Sequence, residues 1–166
     1  MKISGTKKLN NKLAAIPKVA RVELRKAVEK SAAEMANSMR SLAPVGRTGN
    51  LRASIGYTFG EYKAANANVR GAQSYGFSGD PELAVTIHAG DEKAWYAAFV
   101  EFGTVPHNVA KGGGTKTAGS RAVIPHPGAA AQPYFFPAWR LGRKRAKSRI
   151  NRAINKAAKQ VAAGGK

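Results

Sequence analysis

Residues 95–104 read WYAAFVEFGT, the most apolar stretch of a strongly basic chain. Its period is ambiguous. As a strand it puts Tyr96, Ala98, Val100 and Phe102 on one face; as a helix it stacks Trp95, Phe99 and Phe102 at steps of four and three. The end signals arbitrate. Asp91 is a good N-cap, Glu92 falls in the first turn, and Gly103 stands where a helix places its closing glycine. They predict a short helix. Its one carboxylate, Glu101, serves either chemistry or shape, and the rest of the chain must decide.

Upstream, apolar residues fall at Ala20, Leu24, Ala27, Val28, Ala32, Met35, Met39 and Leu42, the spacing of an amphipathic helix over 16–42. Pro17 suits its first turn and Pro44 stops it. In PVGRTGNLRASIGYTF, Gly46 and Gly49 give turn chemistry. Leu51, Ala53, Ile55, Tyr57 and Phe59 then alternate, which predicts a strand with one buried face. Residues 60–80, rich in Ala, Asn, Gly and Ser, read as a loop or irregular hairpin, and Leu83, Val85 and Ile87 alternate in a second strand.

Downstream, residues 105–131 are too long and too patternless for an ordinary connector. They are expected to form a mobile arm, or a segment that orders against a partner. From QPYFFPAWR onward the chain reads as a C-terminal helix, with Pro137 in its first turn and an apolar stripe of Ala146, Ile150, Ile154, Ala157 and Val161. Its other faces carry Arg140, Arg143, Lys144, Arg145, Lys147, Arg149, Arg152, Lys156 and Lys159 without one acid. Such crowding weakens an isolated helix by a few tenths of a kcal/mol per i,i+4 pair, so the helix is expected to lie against acidic groups or a polyanion. The fold class is α+β: a long N-terminal helix, a small, mostly antiparallel sheet, a short helix, a long loop and a basic C-terminal helix. Residues 1–15 are expected to be a flexible basic tail, 16–163 one domain with an extended loop at 105–131, and 164–166 a flexible end.

The 166 residues suffice for one domain with a modest core. With 28 Lys+Arg against 9 Asp+Glu the formal charge is +19, which attracts polyanions or strongly acidic proteins. The absence of cysteine excludes disulfides and thiolate metal sites. No N-terminal apolar run resembles a signal peptide, and no stretch approaches the about 20 apolar residues of a membrane span.

Catalytic signals are weak. His88 ends a strand, while His107 and His126 sit beside prolines, and none has the spacing of a metal-ligand set. KGGGTKT lacks the phosphate-loop spacing and reads as a glycine hinge. Asp91 and Glu92 are helix-start residues, Asp80 precedes a turn proline, and no Ser, His and acid set suggests a nucleophile. The chain is expected to be no enzyme and to need no metal or cofactor.

Three stretches occur together in order: APVGRTGNLRASI after the long first helix, WYAAFVEFGT after the second strand, and AQPYFFPAWR opening the last helix. Over roughly residues 17–145 this pattern resembles the tail-completion or neck proteins of long-tailed bacteriophages. The long insertion between Gly103 and Gln132 and the very basic last helix are not part of it. The resemblance implies a non-enzymatic virion component forming a ring, a homohexamer, between the portal or connector and the tail tube or tail terminator, around the DNA channel. It would reside in the virion, and in the host cytoplasm during assembly. By that resemblance Thr48, Gly49, Asn50, Leu51 and Arg52 form the turn into the first strand. Tyr96, Glu101, Phe102, Gly103 and Thr104 form a second corner, and Pro133, Phe135 and Pro137 set the start of the last helix.

The residues agree in part. Gly49 and Gly103 suit positions where a Cβ would be strained. Glu101 reads as a structural acid, because a buried unpaired carboxylate costs several kcal/mol. Its expected partners are Arg52 or backbone amides near a turn, with an intersubunit salt bridge as the alternative. The basic charge would meet acidic neighbours or channel DNA. The rival class is a small, non-specific nucleic-acid-binding protein using the last helix as an electrostatic arm. Against that rival, no nucleic-acid-binding motif appears and aromatics do not interleave with the basic cluster.

Overall fold

A computed structural model describes residues 18–63, 80–110 and 123–162. The expected N-terminal tail, most of the 60–80 loop, the KGGGTKT hinge and the C-terminal end lie outside the described residues.

Helix α1 (Lys18–Leu42) buries Ala20, Leu24, Val28, Ser31, Ala32, Met35, Ala36 and Met39, the three-and-four spacing of one face. The Ala43 amide donates to the Met39 carbonyl (2.9 Å), and Pro44 follows, so the helix ends where the sequence predicts. Leu42, expected on the buried stripe, is exposed at the helix end.

The alternation after Gly49 predicts one strand, and the structure corrects this. Asn50–Ala53 is a helical turn, α2, and only Gly56–Phe59 is strand β1. Leu51 and Ile55, both buried, satisfy a helical step of four as well as an even strand step. The start decides between them. Gly49 takes φ 67, a left-handed conformation that favours glycine, and its carbonyl accepts the Ala53 amide at 3.2 Å. Asn50 likewise accepts from the Ser54 amide at 2.9 Å.

Strand β2 (Val85–His88) pairs antiparallel with β1, matching Gly56 to His88 and Phe59 to Val85. Tyr57 and Ile87 stand opposite each other and pack on the core. WYAAFVEFGT does contain a helix, α3 (Ala97–Phe102), but it starts later than the Asp91 signal implies. Asp91 Oδ1 accepts the amides of Lys93 (2.9 Å) and Ala94 (2.7 Å), so it caps the turn leading into the helix.

The patternless arm expected over 105–131 also needs correction at its described ends. His107–Ala110 (β3) and Val123–His126 (β4) pair antiparallel, with His107 opposite His126. A further bridge joins Thr104 to Ala129. The described strands therefore form two separate antiparallel pairs.

Helix α4 (Phe135–Ala162) packs along α1. Small residues allow a close approach: a Cβ on Gly142 would lie 3.0 Å from Met35 Cγ. The shared core joins Met35, Met39, Ala43, Leu51, Ile55, Ala97, Tyr134, Ala138 and Ala146. Full burial of Met39 or Ile55 stabilises the fold by roughly 1.5–3 kcal/mol each. The architecture is α+β, and no described helix is long and apolar enough to cross a membrane.

Candidate functional site

The first corner follows α1. Gly49 donates its amide to the Gly46 carbonyl (3.1 Å), closing the turn that carries Arg47 and Thr48 and leads into Asn50. Arg52 Nε donates to the Ala43 carbonyl (2.9 Å), and Arg40 Nη2 donates to the Ile55 carbonyl. Two arginines thus tie the ends of the turn to the C-terminus of α1. Ser54 Oγ donates to the Leu51 carbonyl (2.8 Å) and accepts from the Gly90 amide (3.0 Å), linking this corner to the end of β2.

The second corner centres on Glu101, 6 % exposed on the inner face of α3. Oε2 accepts the amides of Tyr134 (2.7 Å) and Phe135 (2.8 Å), and Oε1 accepts that of Phe136 (3.1 Å). These are the orphan donors of the first turn of α4, and Pro137, next in line, has no amide to satisfy. The carboxylate also sits at the positive end of the α4 dipole, where charge-assisted bonds are strongest. The arginine partner offered by the sequence is not the one used: Arg52 Nε bonds the Ala43 carbonyl, and Arg52 and Glu101 form no ion pair among the described residues. Backbone amides hold Glu101.

The neighbours of Glu101 complete the corner. The Val100 carbonyl accepts the Gln132 amide (2.8 Å), the residue before Pro133. Thr104 and Ala129 exchange amide bonds at 2.9 and 3.1 Å, and Thr104 Oγ1 also accepts from Ala129 (2.9 Å). Gly103, at φ 74, lies so close to the returning chain that a Cβ would meet the Ala129 oxygen at 2.7 Å. Tyr134 is fully buried and donates its hydroxyl to the Ala97 carbonyl (3.4 Å). Burial, with the charge of Glu101 adding, drives its phenol above the usual tyrosine range. The sequence pattern singles out Pro133 and Phe135 but not Tyr134, although an aromatic between prolines at a helix start is a usable signal. Phe135 packs half-buried against the core, and Tyr96 packs there too.

The third group is the basic helix. Arg149 Nη2 donates to both oxygens of Glu34 on α1 (2.7 and 2.8 Å), and its Nη1 donates to Ser31 Oγ (3.1 Å). Arg145 lies 3.6 Å from the same Glu34, and Lys156 lies 3.5 Å from Glu23. The Arg149 hydrogen bonds hold the Glu34 carboxyl below the usual carboxylate range, with the charges of Arg149, Arg145 and Lys30 adding and desolvation opposing. The charge of Lys156 does the same for Glu23, assisted by Lys26. The helix therefore lies against acidic groups on one flank only. Arg140, Arg143, Lys144, Lys147, Arg152 and Lys159 form no ion pair among the described residues.

The histidines stay apart from any carboxylate cluster. Burial lowers the pKa of His88, whose ring stacks on Tyr62 at 4.2 Å between centroids and meets Thr58 Oγ1 at 3.2 Å. His107 and His126 face each other across the ribbon at 4.9 Å. Among the described residues no group of three or more His, Cys, Asp or Glu side chains could hold a metal.

Sequence spacing also missed a surface. The stripe Trp95, Phe99 and Phe102 is exposed, at 50, 38 and 68 %, while Ala94, Ala97 and Glu101 face inward. The helix is inverted: its small residues and its acid are inside and its aromatics outside. Phe102 meets Phe136 of α4 at 5.9 Å, and Trp139 is exposed one turn further on.

Compared with known families, residues 7–103 match the HK97-gp10-like family model, described as "Bacteriophage HK97-gp10, putative tail-component". The match takes in α1, the Gly49 turn, the β1–β2 pair and α3 up to Gly103. No curated protein and no solved structure matches the chain. Since the match covers more than half of the chain, the protein belongs to the HK97-gp10-like family of bacteriophage tail components.

Proposed function

We propose that this tail component is a ring-forming adaptor at the phage head–tail junction, joining the portal or connector to the tail tube around the DNA channel. The family match over residues 7–103 is the observation that carries this reading. In it the described elements form one α+β body, and copies pack head to tail around a symmetry axis as a homohexamer. The Thr48–Arg52 turn and the Glu101 corner hold the body rigid, and the Pro133–Pro137 segment starts the last helix. The 105–131 segment reaches toward adjacent rings. The protein works by binding, without catalysis, metal or cofactor. Its basic residues meet acidic neighbours or channel DNA.

Cryo-electron microscopy of whole particles tests the reading. The expected result is a ring of this chain at the junction, with the 105–131 segment against its neighbours. Absence of the chain from purified particles overturns it.

The +19 charge supports a second reading, a small non-specific nucleic-acid binder. Six cations on α4 that form no ion pair among the described residues favour it. A DNA binder loses affinity steeply with rising salt, whereas a ring built on partly apolar contacts keeps its assembly.

A further inference from the structure

We infer that the outer face formed by α3 and the first turns of α4 is a docking surface for an acidic, apolar-anchored segment of a different protein, rather than for a second copy of this chain.

The surface has two halves. Trp95 and Phe99 pack edge to face at 5.8 Å, and Phe102 at the end of α3 meets Phe136 at 5.9 Å, so two helices share one exposed aromatic ledge. Exposed aromatics held in mutual contact mark interaction sites, because each ring offers large apolar area at small entropy cost. The ledge runs directly into charge. Phe136, Arg140, Arg143 and Lys147 follow at steps of four, three and four, the spacing of one helix face, and Lys144 borders it. All four cations are exposed and form no ion pair among the described residues. An occupant must therefore bring apolar groups and negative charge together.

A second copy is a poor source of that charge. All nine carboxylates of the chain lie in described residues. Glu23, Glu34, Asp80 and Glu82 are in ion pairs. Asp91 and Glu101 accept backbone amides. That leaves Glu29, Glu61 and Glu92, three carboxylates per copy against a formal +19, and adding copies only multiplies the excess. The negative charge comes from outside. Nucleic acid would supply charge, but the rings are packed against one another as a ledge instead of being spaced as separate platforms for bases. A protein segment with acidic residues flanking Leu or Phe anchors satisfies both halves. The surface does not depend on ring closure, so particle imaging and a binding measurement in solution fail independently.

The test is binding of the full chain, by fluorescence anisotropy, to three probes: a synthetic Glu-rich peptide with Leu and Phe at i, i+3, i+4 and i+7; an all-Glu peptide of the same length; and oligothymidylate. The amphipathic peptide is expected to bind about tenfold more tightly than the all-Glu peptide, because anchors in a desolvated site carry most of the affinity. Phe102→Ser is expected to remove that advantage. The combined Arg140→Gln, Arg143→Gln, Lys144→Gln and Lys147→Gln variant, altered only at exposed positions, is expected to weaken both peptides and flatten the salt dependence. Three results overturn the inference: tighter binding of oligothymidylate than of the amphipathic peptide, peptide binding unchanged by Phe102→Ser, and self-association of the chain that Phe102→Ser abolishes.

Discussion

Two carboxylates fasten α4 to the rest of the molecule, and they do it by different physics. Glu101, buried, holds three backbone amides at the start of the helix. Glu34, a third exposed, holds Arg149 and Arg145 along its middle. The first contact fixes geometry. Its donors are in place whatever side chains the helix carries, and they lose water on folding, so removing the acceptor leaves them unsatisfied. The second neutralises charge beside solvent, where water and salt compete for the same groups. A chain this basic needs both kinds: one to aim the helix, the other to let it lie down.

The comparison breaks most directly at Glu101. Replacement by Ala leaves one buried amide and two part-buried ones without an acceptor, at roughly 1–3 kcal/mol for the buried one and less for the others. The expected fall in thermal midpoint is on the order of 10 °C or more for a chain of this size. Glu101→Gln keeps the shape and one acceptor, so it should fall between Ala and the parent. Equal midpoints for Ala and the parent by calorimetry would refute the clamp.

Gly103→Ala comes next. It puts a Cβ at φ 74 and within 2.7 Å of a backbone oxygen, with an expected cost of about 2–3 kcal/mol by urea denaturation. A neutral result would mean that the returning chain moves freely. Glu34→Gln should cost less than half as much as Glu101→Ala, and the loss should shrink further as salt rises. A salt-independent loss would place Glu34 in the same class as Glu101 and erase the distinction.

Acid separates the contacts last and most gently. Glu34 and Glu23 titrate lower in the fold than their ordinary 4.5, so the unfolded chain takes up protons first as pH falls. Their contribution is complete above pH 4.5 and disappears below it. His88, neutral in the fold because burial lowers its pKa from 6.5, adds an earlier loss that begins as pH drops through that value. Melting curves taken from pH 7 downward should show a shallow decline first and a steeper one below 4.5, with the steeper limb reduced in Glu34→Gln.

Helices were legible in this sequence wherever a period and an end signal agreed. Leu24, Val28, Met35 and Met39 with Pro44 gave α1, and Gly103 gave the end of α3. The turn at Asn50–Ala53 was not legible, because Leu51 and Ile55 fit both periods and only the left-handed Gly49 separates them. Nor was β3–β4, whose HNVA and VIPH are short and whose pairing depends on contacts 19 residues apart, from His107 to His126. Glu101 could be read as structural because a lone acid in an apolar run must be satisfied somewhere. Its partners could not, since they lie 33 to 35 residues away on a helix start. The aromatic stripe was visible as a spacing but not as a surface, because period says which residues share a face and is silent on which face meets water.

The fastening at Glu101 has a further consequence, for how such a chain can change over generations. The bonds Val100–Gln132 and Thr104–Ala129 and the Glu101 contacts pin together the two ends of everything between residues 104 and 129. With the base closed, doubling the length of the segment beyond it adds only about 0.6 kcal/mol of closure entropy. Changes of length that spare the paired strands β3 and β4 therefore leave the contacts of the body in place.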